Sequence, residues 1–160
     1  MRIAGVHKTS LVDGIGINYV IFFQGCPHGC EGCQNPSTHN SDGGYEISID
    51  EIMADIDSCG LITGVTFSGG EPLEQLPELL TLLALCKKRG LSTTLYTGYT
   101  VSVGEKLFFR SLEDSRVICY PDADMIDYIV DGKYDCSQRS YDTPFRGSRN
   151  QRMLIHGVDY

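Results

Sequence analysis

Cys26, Cys30 and Cys33 stand within eight residues at the spacing C-x₃-C-x₂-C, directly after the apolar run Val20-Ile21-Phe22-Phe23. Thiolates this close together can hold one metal centre. A four-iron cluster ordinarily takes four cysteine thiolates, so three would leave one iron with a position open to another ligand. Zinc is the competing centre, its fourth ligand then being His28 or His39. Structural zinc sites usually draw on two ligand pairs separated along the chain. Here all three thiols share one segment and no second pair is evident, which favours the cluster and leaves His28 as a loop residue. Cys26, Cys30 and Cys33 are therefore the candidate metal ligands.

The 160-residue chain holds seven cysteines. In a reducing compartment an odd, cysteine-rich set reads as metal ligands and buried thiols rather than disulfides. Cys86 extends a helical stripe with Leu79, Leu82 and Leu83, and Cys59 follows Ile52, Met53 and Ile56. Both are expected to be core thiols. Cys119 and Cys136 fall near loops without an assigned role. The net charge is −8, and without a dense Lys/Arg block no nucleic-acid groove is expected. There is no apolar run long enough for a membrane span and no signal-peptide core. The expectation is a single domain over residues 1–160, cytoplasmic, with no membrane partner.

The elements that must position the thiols follow from periodicity and turn residues. A first strand over about Asn18 to Gln24 delivers the cysteine loop, which runs on through Asn35-Pro36 to Asp42-Gly43-Gly44. Ser48-Ile49-Asp50-Glu51 is a capping box opening a helix that stops at Gly60, read as its C′ residue. Gly64 to Ser68 reads as a strand running into Gly69-Gly70-Glu71-Pro72. Pro77 suits the first turn of a second helix, which ends at Lys87-Lys88-Arg89-Gly90. Leu91 to Tyr96 is a third strand. Ser102-Val103-Gly104-Glu105 reads as a second capping box before a short helix through Leu107-Phe108-Phe109. Met125 to Val130 is a fourth strand, and Arg152 to Ile155 a final short one. Residues 1–16 show little periodicity.

Strands alternating with helices imply an α/β fold with mostly parallel strands. The cysteines, Gly69-Gly70-Glu71, Thr97-Gly98 and Asp131-Gly132-Lys133 all follow strands. Sites gather at that carboxyl edge in parallel α/β folds. A full eight-fold barrel takes about 250 residues, so an incomplete barrel or a curved open sheet is expected.

The cysteine motif after the first strand and Gly69-Gly70-Glu71 after the next together resemble the radical S-adenosylmethionine superfamily. The resemblance implies a partial radical-SAM β/α barrel and one [4Fe-4S] cluster on Cys26, Cys30 and Cys33. The fourth iron would take the amino and carboxylate groups of S-adenosylmethionine. Reductive cleavage of the sulfonium would then yield a 5′-deoxyadenosyl radical. Gly69 and Gly70 would let backbone approach the cofactor without a Cβ in the way, and Glu71 would meet the methionine ammonium.

Narrower motifs point to glycyl-radical-enzyme activases. Val12-Asp13-Gly14-Ile15-Gly16 resembles their V-D-G-P-G segment, and Cys33-Gln34-Asn35-Pro36-Ser37-Thr38 their C-x-N-P-x-T continuation. Tyr96-Thr97-Gly98-Tyr99, Val130-Asp131-Gly132-Lys133 and Phe145-Arg146-Gly147-Ser148-Arg149-Asn150-Gln151 resemble activating proteins of anaerobic ribonucleoside-triphosphate reductases. The implied reaction removes hydrogen from a glycine of the reductase large subunit, leaving a glycyl radical. Reduced flavodoxin or ferredoxin is the implied electron donor. The alternative target is another glycyl-radical enzyme such as pyruvate formate-lyase. The alternative of a different class is a non-catalytic iron–sulfur or zinc module.

The resemblance also carries roles for single residues. Backbone at Gly32, Cys33 and Gln34 would approach the adenine, and Thr97 would be a cofactor contact. Asp131 and Lys133 resemble a D-x-K pair that meets ribose and carboxylate. Asp13, Arg146 and Arg149 would face the partner. Three positions depart from the pattern: Ile15 stands for the usual Pro, His39 for a Trp, and Gly32 where the superfamily often has an aromatic.

Overall fold

The computed structural model describes residues 1–104, 106–120 and 122–160. In chain order the elements are β1 (Arg2–Ser10), β2 (Asn18–Phe23), β3 (Tyr45–Glu46), α1 (Ile49–Ser58), β4 (Gly64–Gly69), α2 (Leu76–Lys88), β5 (Ser92–Tyr96), β6 (Thr100–Val103), β7 (Leu107–Arg110), β8 (Val117–Tyr120), β9 (Tyr128–Asp131) and β10 (Arg152–Ile155). A seven-stranded sheet runs β10-β9-β5-β4-β2-β1-β3. Its middle is parallel, with Phe23 opposite Gly69, Phe67 opposite Leu95 and Leu95 opposite Ile129. The flanking pairs β1–β2, β1–β3 and β9–β10 are antiparallel. The architecture is thus mixed α/β with a largely parallel centre, and the sheet does not close on itself.

Side chains alternate across a strand, and the sequence uses that alternation to separate core from site. Ile21, Phe23, Val65, Phe67, Leu95 and Ile129 are fully buried and share one hydrophobic core with both helices. The helices bring Ile52, Met53 and Ile56 from α1, and Leu79, Leu82, Leu83 and Cys86 from α2. Each such burial is worth about 1.5–3 kcal/mol. The Tyr19 hydroxyl donates to Asp55 Oδ2 at 2.7 Å, tying β2 to α1. On the opposite face of the sheet stand Phe22, Thr66, Ser68, Thr94 and Tyr96, and no helix among the described residues covers them.

The capping box at Ser48 and Glu51 forms as its sequence predicts, with both reciprocal bonds present. Gly90, at φ +72°, closes α2: its amide and that of Leu91 reach back to Lys87 O and Cys86 O, the left-handed glycine closure that satisfies terminal carbonyls. Gly60 does not take that role. Cys59 ends α1 by donating to Ile56 O at 2.9 Å, and Gly60 is not left-handed. Cys59 is half-buried against the core, and Cys86 is fully buried.

Three expectations change. β1 was not legible, because much of it is exposed and only its pairing with β2 selects an extended chain. The expected helix through Leu107-Phe108-Phe109 is instead a three-stranded antiparallel meander, β6-β7-β8. Leu107 and Phe109 are buried, Phe108 is half-buried and Arg110 exposed. That is the period of a strand, and Val101 and Tyr120 complete the buried face. The Glu105 half of the second capping box lies outside the described residues. β9 begins at Tyr128 rather than Met125, since Ala123–Met125 forms a short 3₁₀ turn capped by Asp122.

Candidate functional site

A cavity of about 550 Å³ opens on the helix-free face, at the carboxyl ends of the parallel strands. Phe22, Ser68 and Tyr96 supply its floor, and Cys26, Cys30 and Cys33 one wall. Their positions follow from the period-two pattern: each neighbours a core residue of its strand and so points the other way.

The Cys33 sulfur accepts the backbone amide of Asn35 at 3.3 Å. Such amides stabilise thiolates in iron–sulfur ligation. Without a metal, burial pushes the Cys26 thiol up to about 11, despite the His28 amide. Burial likewise raises Cys30, opposed by the Tyr134 amide and the Lys133 charge. Among the described residues, no three His, Cys, Asp or Glu side chains converge on a single ion. Three cysteine thiols are a soft donor set, of the kind that holds zinc or iron–sulfur centres.

The glycines after β4 are needed by packing. A Cβ on Gly70 would meet Gly25 O at 2.3 Å, and one on Gly69 would meet Phe22 Cα at 2.6 Å. Gly70 N donates to Phe23 O and Glu71 N to Gly25 O, both at 2.8 Å. These bonds lock the end of β4 to the start of the cysteine loop. Gly69 and Gly70 still line the cavity, together with Thr97 and Gln34.

Glu71 does not line the cavity. Its carboxylate is fully buried and accepts from His28 Nε2 (2.8 Å), Thr97 Oγ1 (2.9 Å), Gly98 N (2.9 Å) and Leu73 N (3.2 Å). These bonds make Glu71 the joint between three loops. His28, read from sequence as a plain loop residue, is half of that joint.

Both residues of the D-x-K pair have partners within the protein. Asp131 is buried, accepts from Val101 N at 2.7 Å, and is ion-paired with Arg152. Lys133 is paired with Glu113. Only Gly132, between them, reaches the cavity. Gly32 faces the Cys136 side chain rather than the cavity: a Cβ there would lie 3.1 Å from Cys136 Cβ, and its φ is +67°. Arg149 is exposed, with Asp142 at 3.7 Å, whereas Asp13 and Arg146 line the cavity.

The segment around Asp13 crosses the helix-free face. Thr66 Oγ1 donates to Asp13 O at 2.5 Å, and Ser10 Oγ to Asp13 Oδ2 at 2.6 Å. Gly14, at φ +136°, would place a Cβ 3.0 Å from the hydroxyls of Thr66 and Thr94. The turn holds without proline because Asn18 Nδ2 donates to Ile15 O at 3.1 Å. His39 also lines the cavity. Sequence reasoning missed Phe22, Ser68, Tyr134, Arg139 and Tyr141 as cavity residues; strand alternation could have found the first two, whereas the rest come from a loop no period describes.

A family model described as "4Fe-4S single cluster domain" matches residues 12–154. The chain belongs to that family. It is also similar to the pyruvate formate-lyase-activating enzyme of Clostridium pasteurianum, 43% identical over 106 residues, covering 61% of this chain and 44% of the relative. The enzyme of the same name from Staphylococcus aureus strain USA300 is 38% identical over 117 residues, covering 68% of this chain and 46% of the relative. The chain thus spans less than half the length of these curated relatives. No described helix is long and apolar enough to cross a membrane.

Proposed function

We propose that the chain is a radical S-adenosylmethionine activase of a glycyl-radical enzyme, working as a single domain over residues 1–160 and built as a partial β/α barrel. The observation that carries this is the set of three thiols lining one cavity at the carboxyl edge of a parallel sheet. Cys26, Cys30 and Cys33 hold a [4Fe-4S] cluster. When bound, cluster and S-adenosylmethionine together supply one-electron cleavage of the sulfonium and a hydrogen-abstracting radical.

The chain's own residues bind, orient and shield. Gly69, Gly70 and Thr97 form the floor beside the cysteine wall, and Gln34 extends that wall. Glu71 and His28 hold the floor and wall in register. The Asp13 segment and the loop through Arg146 cover the helix-free face, excluding water from a radical that would otherwise be quenched. The exposed apolar side chain of Val12, 75% accessible, lines the cavity and, with Leu11 beside it in the chain, suits the docking of a partner's glycine loop.

Of the two targets, pyruvate formate-lyase is the one the named relatives favour. The anaerobic ribonucleoside-triphosphate reductase large subunit stays as a second reading, supported by Phe145-Arg146-Gly147-Ser148-Arg149-Asn150-Gln151. Reduced flavodoxin or ferredoxin is the proposed donor. The test is anaerobic incubation of the reconstituted chain with reductant and S-adenosylmethionine, with either target enzyme. A glycine-centred electron-spin-resonance doublet on one of them identifies the substrate. A cluster-loaded chain that leaves S-adenosylmethionine intact would instead mark a non-catalytic module.

A further inference from the structure

We infer that Arg146 binds the α-carboxylate of S-adenosylmethionine, the role that the sequence motif assigns to Lys133; this rests on the functional reading above. Arg146 lines the cavity that holds the three cysteines. Its Nε is buried and has no hydrogen-bond partner, and its one internal bond is a long one, from Nη1 to Gln151 O at 3.4 Å. A buried guanidinium nitrogen without an acceptor is costly. A planar carboxylate is the acceptor that matches two adjacent guanidinium donors.

The backbone reinforces the assignment. Phe145, immediately before Arg146, sits at φ +62°. A bulky residue in the left-handed region is strained by about 1–3 kcal/mol, and such strain collects at ligand clamps. What holds it is the loop itself: Gln151 Oε1 accepts from Gly147 N at 2.9 Å, and Gln151 Nε2 donates to Gly132 O at 2.9 Å. Gly147 packs on Tyr134, which lines the same cavity as the cysteines. The strained turn that presents Arg146 is therefore braced against the cavity lining at Gly132 and Tyr134.

The other cations near the site lack such an unpartnered buried donor, among the described residues. Lys133 is paired with Glu113, and Arg152 with Asp131. Arg139 lies over the Tyr141 ring, 5.1 Å from its centroid. Arg146 alone combines a place in the cavity with an unused buried donor, among the described residues.

The test pairs a protein change with a ligand change. Equilibrium binding to the anaerobically reconstituted, unreduced chain is measured for S-adenosylmethionine and for decarboxylated S-adenosylmethionine, which keeps the sulfonium and adenosine but lacks the carboxylate. Arg146→Gln is expected to weaken the first roughly 10- to 100-fold and the second less than about 2-fold, with Arg146→Lys recovering part of the loss. The ratio of the two affinities is unaffected by a misfolded fraction, which lowers only the number of sites. Equal weakening of both ligands overturns the inference, as does a selective loss that appears in Lys133→Gln instead. A wild-type chain that binds neither ligand removes the functional reading, and the inference with it. Normal binding by the wild type with no carboxylate selectivity lost in Arg146→Gln overturns the inference alone.

Discussion

His28 Nε2 lies 2.8 Å from Glu71 Oε2, and the two side chains are 8% and 0% exposed. One residue sits between Cys26 and Cys30, and the other directly follows the glycines at the end of β4. Gly98 completes the contact, since a Cβ there would come within 2.3 Å of the imidazole. Tyr99 meets the same ring edge-on, with centroids 4.7 Å apart. The cysteine loop and the loops after β4 and β5 are thereby one mechanical unit. Glu71→Ala should lower the unfolding free energy of the metal-free chain by about 1–3 kcal/mol or more, because it leaves buried donors without an acceptor, measured by urea denaturation. A loss under about 1 kcal/mol would mean the three loops are held by something else.

Packing at the end of β4 makes a second prediction. Gly70→Ala forces a Cβ against Gly25 O, and should destabilise by roughly 1–3 kcal/mol or more. Gly60→Ala meets nothing within 4 Å and should change stability by less than about 0.5 kcal/mol. Thermal melts of the two variants side by side decide whether the motif glycine serves packing.

Asp131 gives a third. Its carboxylate already serves Val101 N and Arg152, so Asp131→Asn should cost about 1–3 kcal/mol of stability before any cofactor is added. An unchanged melt together with weakened S-adenosylmethionine binding would support the ribose role that the motif suggests.

The pH dependence of stability should show Asp127. Burial pushes its carboxyl up, but bonds from Lys87 Nζ (2.7 Å) and Thr93 N (2.8 Å) outweigh that and leave it below the usual value. A depressed folded-state pKa contributes stability that is fully present above the unfolded value near 3.9 and lost as pH falls through the folded one. Asp127→Asn should therefore be less stable than the wild type at pH 7, and the gap should narrow below about pH 3.9. Chemical denaturation across that range provides the check, and a gap that stays constant contradicts the assignment.

Cluster retention separates ligands from bystanders. Cys26→Ala, Cys30→Ala and Cys33→Ala should each lose most of the bound iron after anaerobic reconstitution. Cys119→Ala and Cys136→Ala, at exposed positions, should keep it. Iron per chain and the visible absorption of the cluster are the readouts. Loss of the cluster in Cys136→Ala would add a fourth ligand next to Gly32.

Local signals carried much of the fold because they rest on neighbours in the chain. The Ser48–Glu51 capping box, the leucine stripe of α2 and the apolar run of β2 each express a short-range period or a reciprocal bond, and each forms where expected. β1 and the β6–β8 meander escaped because their extended state is chosen by partners across the sheet. Read locally, Leu107-Phe108-Phe109 is as consistent with a helix as with a strand.

The sequence by itself determined the three thiols, their spacing after a strand, and the glycines beside them. Those are properties of adjacent residues. Which polar groups face the cavity was decided only by tertiary structure. Asp131 and Lys133 are claimed by Arg152 and Glu113, Glu71 by His28, Thr97 and Gly98, and Arg146 is left with an unpaired buried donor. A charged group in a motif goes to whichever partner reaches it first in space. Those partners lie up to 43 positions away in the chain, so no local pattern could have named them.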